Sequence, residues 1–194
     1  ERSEEIAEEF ATSCLMGVGQ FCTNPGIVVL VAGKETEQFI DSVSTKFSEA
    51  PVGTLLTGSV EKNMADSVKV LQDAGATVIT GGKTGSGPGY SYDNTLLRVS
   101  GEKFIANSEK LQTEAFGNES LFVVANDEDQ AVEICNHFEG NLTGCIYSSQ
   151  KGDDEPLYKR IVGILRKKVG RLLNDKMPTG VAVSSAMNHG GPYP

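Results

Sequence analysis

The stretch Gly26-Ile27-Val28-Val29-Leu30-Val31-Ala32 decides the fold, because it is an apolar run without a single polar residue. A run of this length, preceded by turn residues, is typical of a β-strand buried on both faces, as strands are in the parallel sheet of a layered domain. No longer apolar run occurs in the chain, whereas a helix that crosses a bilayer needs about 20 such residues. The sequence therefore predicts a central strand and no membrane partner.

Helical and strand-like patterns alternate on both sides of this strand. Helical periodicity covers residues 3–20, 35–49, 59–74, 127–138 and 153–168, and strand-like composition marks 76–80, 94–99, 104–106, 121–125, 142–148 and 171–173. Ser3, Ser59 and Asp127 stand where helix N-caps are preferred. Helices interleaved with apolar strands indicate a single α/β domain in which helices cover a sheet.

The composition limits the classes of function. The chain of 194 residues fits one globular domain, and 39% of its residues are hydrophobic, enough for a sizeable core. Its 17 Lys and Arg face 26 Asp and Glu, giving a net charge of −9. Affinity for nucleic acid comes largely from cationic contacts to phosphate, so we expect no nucleic-acid partner.

Neither end of the chain nor its cysteines indicate secretion. The opening Glu1-Arg2-Ser3-Glu4-Glu5 is acidic and lacks the basic and apolar regions of a signal peptide, so we expect a cytoplasmic protein. Because no initiator Met is present, we also expect a piece of a longer chain. The four cysteines (Cys14, Cys22, Cys135, Cys145) lack CxxC spacing, which predicts free thiols and no metal site.

Cys22 is the candidate catalytic residue that the pattern itself singles out. It lies between a helix and the buried strand, in the segment Gln20-Phe21-Cys22-Thr23-Asn24-Pro25, whose proline and following glycine predict a turn. At such a junction backbone N–H groups can point at a substrate oxygen, and a thiol can attack a carbonyl carbon. A free cysteine is more commonly a small buried apolar residue, which is our interpretation of the other three.

Two segments carry a family resemblance. Gly19-Gln20-Phe21-Cys22-Thr23 resembles the active-site segment of the aldehyde dehydrogenases, in which Gly-Gln-x-Cys surrounds the nucleophile. Thr113-Glu114-Ala115-Phe116-Gly117-Asn118 is similar to that family's Glu-x-Phe-Gly-Pro segment, and the pair Gly81-Gly82 between them is also seen there. The resemblance covers essentially the whole chain. It implies that residues 1–194 form a three-layer α/β/α catalytic domain with a mostly parallel sheet.

The resemblance extends to one branch of the family through the Cys-Thr-Asn-Pro-Gly continuation of the turn and two closing segments. Pro178-Thr179-Gly180-Val181 and His189-Gly190-Gly191-Pro192-Tyr193-Pro194 resemble the branch that oxidises 2,5-dioxovalerate (α-ketoglutarate semialdehyde) to 2-oxoglutarate with NADP. NAD is the other cofactor that the resemblance allows. Two departures concern the second motif, where Asn118 replaces the family's proline and Ala115 its valine.

The resemblance assigns roles to individual residues. Cys22 would attack the aldehyde to give a thiohemiacetal, with its own backbone N–H as one donor to the oxyanion. Glu114 would bind the hydroxyls of the nicotinamide-side ribose, and Phe116 would pack beside the nicotinamide. The pocket for the small-molecule aldehyde would be lined by Thr23 and by the segment Pro178-Thr179-Gly180-Val181.

The resemblance also implies parts that lie outside the chain. In that family the cofactor-binding domain and a general-base glutamate precede the cysteine. We therefore expect the missing domain to be a partner, the parent to be a homo-oligomer, and the isolated chain not to bind NADP productively. Two other functions stay open: a cofactor-free thiol acyl hydrolase that uses Cys22 with His137 or His189, and a non-catalytic oligomerisation module with exposed apolar surface.

Overall fold

The computed structural model describes residues 2–85, 87–180 and 184–192. The helices of these ranges are α1 (Ser3–Leu15), α2 (Lys34–Glu49), α3 (Gly58–Asp73), α4 (Gly101–Ala106), α5 (Ser108–Leu111), α6 (Glu128–Asn136) and α7 (Glu155–Leu165). The strands are β1 (Ile27–Val31), β2 (Thr77–Thr80), β3 (Thr95–Ser100), β4 (Glu119–Ala125), β5 (Asn141–Ile146) and β6 (Val169–Asn174). A 3₁₀ turn, Met16–Gly19, follows α1. The alternation of helix and strand confirms the predicted α/β class.

The strands form two sheets. The larger sheet has the order β1-β4-β3-β2, and the smaller one pairs β5 with β6. β4 lies parallel to both β1 and β3, with Ile27 opposite Leu121 and Thr95 opposite Glu119. β2 is antiparallel to β3, and β5 is parallel to β6. The architecture is therefore mostly parallel, as expected, and the amino-terminal ends of β1 and β4 meet at one end of the larger sheet.

One face of the larger sheet is covered by α1 and α2. Phe10 of α1 lies at the centre of this core, where its ring centroid is 5.6 Å from that of Phe122 in β4. The rings of Phe39 and Phe47 in α2 lie 6.2 and 6.1 Å from Phe10. Aromatic pairs at these separations contribute attraction beyond the area that they bury. The four-residue spacing along α1 thus places its apolar side chains on the sheet, as predicted.

The opposite face is covered by α3, α4 and α6. Met64, Val68 and Leu71 line the inner side of α3 and are buried in the same core as Leu121 and Val123 of β4. Since alternate side chains of β4 enter the two cores, this strand is buried on both faces. Helix, sheet and helix form the three layers that the resemblance implied. In the described ranges no helix is long and apolar enough to cross a membrane.

The end of the first helix differs from the prediction. The helix predicted over 3–20 ends at Leu15. Beyond it Gly17, Val18 and Gly19 have φ of +56°, +58° and +65°, values in the left-handed region that a right-handed helix excludes. Apolar spacing alone does not report this reversal, because Val18 continues the four-residue repeat of the helix.

Three further predictions were wrong in detail. Residues 104–106, predicted as a strand, are the end of α4, because three residues are too few to show a period. α3 begins at Gly58 with Thr57 as its cap, so Ser59 lies inside the helix. Ser3 does not cap α1, whose N-cap position is Arg2 without a side-chain bond. Asp127 caps α6 as predicted, with its Oδ1 accepting from the Gln130 N–H at 2.8 Å.

Candidate active site

Cys22 lies in a tight turn at the amino-terminal end of β1. The turn closes through hydrogen bonds from the Asn24 N–H to the Phe21 carbonyl at 3.0 Å and from the Gly26 N–H to the Asn24 carbonyl at 2.9 Å. The Cys22 side chain is exposed. Its backbone N–H donates no hydrogen bond to another residue of the described ranges, so that donor is available to a substrate oxygen.

The backbone before the cysteine is pressed against the second motif. A Cβ at Gly19 would lie only 2.0 Å from the Gly117 carbonyl oxygen, which no side chain tolerates. From the other side of the turn, the Asn24 amide donates from Nδ2 to the carbonyls of Gly117 and Glu119, at 3.2 and 3.4 Å. The cysteine turn and the strand entrance of β4 are therefore one connected unit. Asn24 was not singled out from the sequence, although side-chain amides are common turn residues.

Gln20 fixes the other flank of the turn. Its Oε1 accepts from the Leu56 N–H at 2.8 Å, and its Nε2 donates to the Gly17 carbonyl at 3.1 Å. The glutamine thereby joins the turn to the loop before α3. Gln20 therefore helps to hold the turn that carries Cys22.

The predicted pocket residues lie beside the turn. The Thr179 hydroxyl donates to the Thr23 carbonyl at 3.1 Å, and both residues are buried, as is Pro178. Gly180 is exposed and has a φ of +81°, and a Cβ there would sit 3.8 Å from the Met16 Cε atom. The structure thus brings Thr23 and the segment Pro178 to Gly180 together. Val181, Tyr193 and Pro194 of the closing motifs lie outside the described residues.

The two predicted cofactor contacts lie on the loop that precedes β4. Glu114 and Phe116 both have exposed side chains, whereas Ala115 between them is buried. The Ser67 hydroxyl of α3 donates to the Glu114 carbonyl at 3.2 Å and so anchors the loop. Phe116 is 40% exposed and Phe21, next to the cysteine, 42% exposed. Both rings can therefore be reached from the surface.

Of the two candidate histidines, both in the described ranges, one lies close to Cys22. The His189 Nε2 atom lies 3.8 Å from the Cys22 Sγ atom. His137 ends α6, where its Nδ1 atom lies 2.9 Å from the Glu133 carbonyl oxygen of its own helix. A thiol chemistry that needs a histidine would therefore use His189.

The other three thiols are less exposed than that of Cys22. Burial raises the pKa of Cys135 and of Cys145 to about 11. Burial, and after it the charge of Glu119, also raises the pKa of Cys14. In the part of the chain that the structure describes, no three His, Cys, Asp or Glu side chains gather as a metal site.

The hydrogen bonds of Asn118 explain why an asparagine stands where the family motif has a proline. This residue is fully buried, and its Nδ2 donates to the Tyr92 carbonyl at 2.8 Å and to the Asn94 Oδ1 at 2.7 Å. Asn94 in turn donates to the carbonyls of Phe47 and Ala50 at the end of α2, both at 3.1 Å. A proline could supply none of these donors, so the asparagine links β4 and β3 to α2 through a buried network.

We expect Asn118→Ala to lower the free energy of unfolding by about 2 kcal/mol, because it leaves two buried acceptors without a donor. Urea unfolding measures this loss. The control is Asn136→Ala, which removes an exposed amide bonded within α6 at 3.2 Å and should change the stability by less than about 0.5 kcal/mol. Equal effects of the two substitutions would contradict the importance of the buried network.

Comparison with known proteins identifies the family to which the sequence is similar. The family model described as "Aldehyde dehydrogenase family" covers residues 3–180. The chain is 34% identical over 197 residues to alpha-ketoglutaric semialdehyde dehydrogenase 2 of Azospirillum brasilense, and 30% identical over 194 residues to the alpha-ketoglutaric semialdehyde dehydrogenase of Acinetobacter baylyi. Each alignment covers 100% of this chain but 36% of the relative, so the chain spans about a third of their length.

A solved structure supports the fold. The 1-pyrroline-5-carboxylate dehydrogenase from Thermus, with bound NAD, superimposes with a TM-score of 0.77 at 21% sequence identity. The match covers 97% of this chain and 36% of that one. At this identity the likeness shows a common fold, including the mostly parallel three-layer arrangement described above.

Proposed function

We propose that this chain, which belongs to the aldehyde dehydrogenase family, is the nucleophile-bearing catalytic domain of an enzyme that oxidises 2,5-dioxovalerate to 2-oxoglutarate. The observation that carries the proposal is an exposed Cys22 at the end of the sheet, beside Thr23 and the segment Pro178 to Gly180. The two semialdehyde dehydrogenases that are similar along the whole chain support this substrate.

The chemistry begins at the Cys22 sulfur. The thiolate attacks the aldehyde carbon, a C–S bond forms, and the carbonyl electron pair moves to the oxygen. The backbone N–H of Cys22, which has no other partner in the described ranges, donates to that oxyanion. After oxidation the acyl group is held as a thioester, which water hydrolyses to the acid. Gln20 and Asn24 contribute by fixing the turn on both flanks.

Glu114 and Phe116 are the residues that would hold NADP, or NAD in its place. The two oxygens of an exposed carboxylate suit the adjacent hydroxyls of a ribose, and an exposed aromatic ring offers a flat face to a nicotinamide. When bound, the nicotinamide supplies the hydride acceptor for the oxidation. A cofactor can reach Glu114 and Phe116 because both side chains are exposed on a loop that the Ser67 hydroxyl anchors.

We further propose that the exposed apolar surface near the turn is covered by a cofactor-binding domain in a cytoplasmic homo-oligomer. Leu56, whose N–H is held by Gln20, is 82% exposed, and Phe21 and Phe116 are also exposed. Apolar side chains grouped around a reactive thiol are typical of a surface that another domain or subunit covers.

Cys22→Ser should abolish aldehyde oxidation by the natural polypeptide that carries this chain, with a loss of about 1,000-fold or more, because a hydroxyl is a far weaker nucleophile than a thiolate. The assay follows reduction of NADP or NAD with 2,5-dioxovalerate, succinate semialdehyde and a simple alkanal as rival substrates. Cys145→Ser is the control and should keep most of the activity. Unchanged turnover in Cys22→Ser, or preference for the alkanal, would overturn the assignment.

A cofactor-free thiol acyl hydrolase is the second candidate, and the 3.8 Å approach of His189 to Cys22 favours it. This function predicts ester turnover in the absence of any nicotinamide, lost on substitution of either residue. It also predicts no reduction of NADP or NAD with any aldehyde, which separates it from the first candidate.

A further inference from the structure

The guanidinium of Arg171 carries a positive charge that no carboxylate of the described ranges neutralises. Arg171 lies in β6, opposite Thr143 of β5, and is half-buried. Its Nε atom is enclosed without a hydrogen-bond partner among the described residues, and its Nη1 atom contacts the Met187 sulfur. A thioether is only a weak acceptor, so this contact leaves the charge uncompensated.

Arg171 differs in this respect from the other arginines of the chain. Arg166 also has no carboxylate partner within the described residues, but its side chain is exposed and water solvates it. A partly enclosed cation without a counter-ion costs free energy, which an anion bound at its open end would recover. The remaining three arginines are paired at 2.6 to 3.2 Å: Arg2 with Asp175, Arg98 with Glu37 and Arg160 with Asp129.

The closing segment of the chain brings Arg171 close to the nucleophile. The His189 Nε2 atom lies 3.8 Å from the Cys22 Sγ atom, and Met187, two residues earlier, touches the Arg171 guanidinium. Two residues of backbone span at most about 7 Å. The guanidinium and the thiol are therefore joined by the short stretch 187–189.

Contacts with β6 hold that stretch in place. The Asn188 Nδ2 donates to the Gly170 carbonyl at 3.2 Å. A Cβ at Gly170 would lie 1.6 Å from the Gly190 carbonyl oxygen, so the two backbones touch there. Direct contacts between the closing segment and the strand thus set the distance from Arg171 to Cys22.

The net charge of the chain makes such a cation important for an anionic substrate. With a formal charge of −9, the chain as a whole repels an anion. Lys168, just before β6, is already engaged, because its Nζ donates to the Asn136 carbonyl at 2.8 Å and to the Phe138 carbonyl. Arg171 is the cation that the contacts above place near Cys22 without such partners.

We propose that Arg171 binds the carboxylate of the substrate and so selects acidic semialdehydes over uncharged aldehydes. This inference rests on the proposed function and deepens it. In 2,5-dioxovalerate the carboxylate and the aldehyde stand at opposite ends of a five-carbon chain, so a molecule bound at Cys22 needs a cation a short chain length away. A planar guanidinium pairs with a carboxylate through charge-assisted hydrogen bonds, which partial exclusion of water strengthens.

The test compares acidic and uncharged aldehydes as substrates of the natural polypeptide that carries this chain. Arg171→Met removes the charge but keeps a long side chain. It should lower kcat/KM for 2,5-dioxovalerate and succinate semialdehyde by at least about tenfold, mainly through a higher KM, because the lost bond holds the bound substrate. For pentanal, which has no carboxylate, kcat/KM should change by less than about twofold. The matched control, Arg166→Met, should leave all three substrates unaffected.

Two further variants of Arg171 change the charge in a graded way. Arg171→Lys keeps the charge without the planar fork, so its KM for 2,5-dioxovalerate should lie between those of the wild type and Arg171→Met. Arg171→Glu should repel acidic aldehydes and shift the preference towards 4-aminobutanal, a cationic aldehyde. Turnover of pentanal by each variant shows that the protein is folded, and Arg171→Lys decides the question if Arg171→Met does not fold.

The possible failures are distinguishable. Equal losses on pentanal and on the acidic aldehydes in every folded variant would overturn the proposal and make Arg171 a structural residue. An unchanged preference for 2,5-dioxovalerate in Arg171→Met would keep the dehydrogenase assignment and remove the arginine as its anchor. Preference of the wild type for pentanal would remove the acidic substrate, and the anchor with it.

Discussion

Replacing Gly19 with alanine should lower the free energy of unfolding by roughly 3 kcal/mol or more. Two costs combine. The φ of +65° lies in the left-handed region, where a side chain costs about 1 kcal/mol or more. The new Cβ would also lie 2.0 Å from the Gly117 oxygen, 2.3 Å from its carbonyl carbon and 2.7 Å from the Asn118 nitrogen. These are backbone atoms at the entrance of β4, which cannot rotate away as the end of a side chain can.

Urea unfolding of Gly19→Ala and of Gly26→Ala gives the comparison. Gly26 lies in the same turn, four residues beyond the nucleophile, but a Cβ there meets no atom within 4 Å. Gly26→Ala should therefore change stability by less than about 1 kcal/mol, and it can even stabilise by restricting the unfolded chain. If the two variants were equally stable, the contact between the cysteine turn and the Gly117 backbone would not exist in solution.

Loss of this contact should also change the position of the Cys22 thiol. The same two backbones carry Cys22 on one side and Phe116 on the other, and Asn24 joins them with a second bond at 3.2 Å to Gly117. A displaced turn would move the thiol relative to both predicted cofactor contacts. The family motifs around Cys22 and Glu114 are distant in sequence, yet this contact makes them one rigid unit.

The layered fold follows from the sequence because its signals are long and regular. The apolar run 26–32 contains β1, and the four-residue repeats of α1, α2 and α3 face the sheet, as a period of 3.6 residues requires. The break after Leu15 could not be predicted in this way. Val18 fits the helical repeat, and its positive φ results from tertiary contacts, among them its side chain lying within 2.5 Å of a Cβ placed on Gly53.

In the candidate site, too, some residues can be identified from the sequence, whereas their contacts cannot. Cys22, Glu114 and Phe116 lie in short motifs, so the sequence identifies them before any contact is known. The approach of His189 to Cys22 joins residues 167 positions apart, and composition gave no reason to prefer it to His137. Asn118 could be noted as a departure from the motif, but its buried partners Tyr92 and Asn94, in the segment before β3, depend on strand order.

Glu119 gives the second large prediction, because its carboxyl group is buried at the start of β4. The residue begins β4 and is 3% exposed, and its Oε1 atom has no hydrogen-bond partner in the described ranges. Burial raises the pKa of this carboxyl well above its usual range. Burial, and after it the charges of Asp93 and Glu119, also raises the pKa of Tyr92. The folded chain therefore holds this proton more tightly than the unfolded chain does.

The sign of the pH dependence follows from this difference in proton binding. Below the unfolded pKa, near 4.5, both states are protonated and the carboxyl adds no pH dependence to the stability. As the pH rises above that value the unfolded chain ionises first, so the free energy of unfolding falls by up to about 1.4 kcal/mol per pH unit, until the folded carboxyl ionises too. Glu119→Gln keeps the shape but cannot ionise, so it should lose this slope and exceed the wild type in stability at neutral pH.

Urea unfolding of wild type, Glu119→Gln and Glu133→Gln between about pH 4.5 and 8 separates this cause from general charge effects. Glu133 is an exposed residue of α6, so its variant should follow the wild-type curve and differ from it by less than about 0.5 kcal/mol. The Glu119→Gln curve should meet the wild-type curve at the acid end and separate from it steadily as the pH rises. Parallel curves for all three proteins would mean that the Glu119 carboxyl is solvated or paired in solution, because its pKa would then be the same in the folded and the unfolded chain.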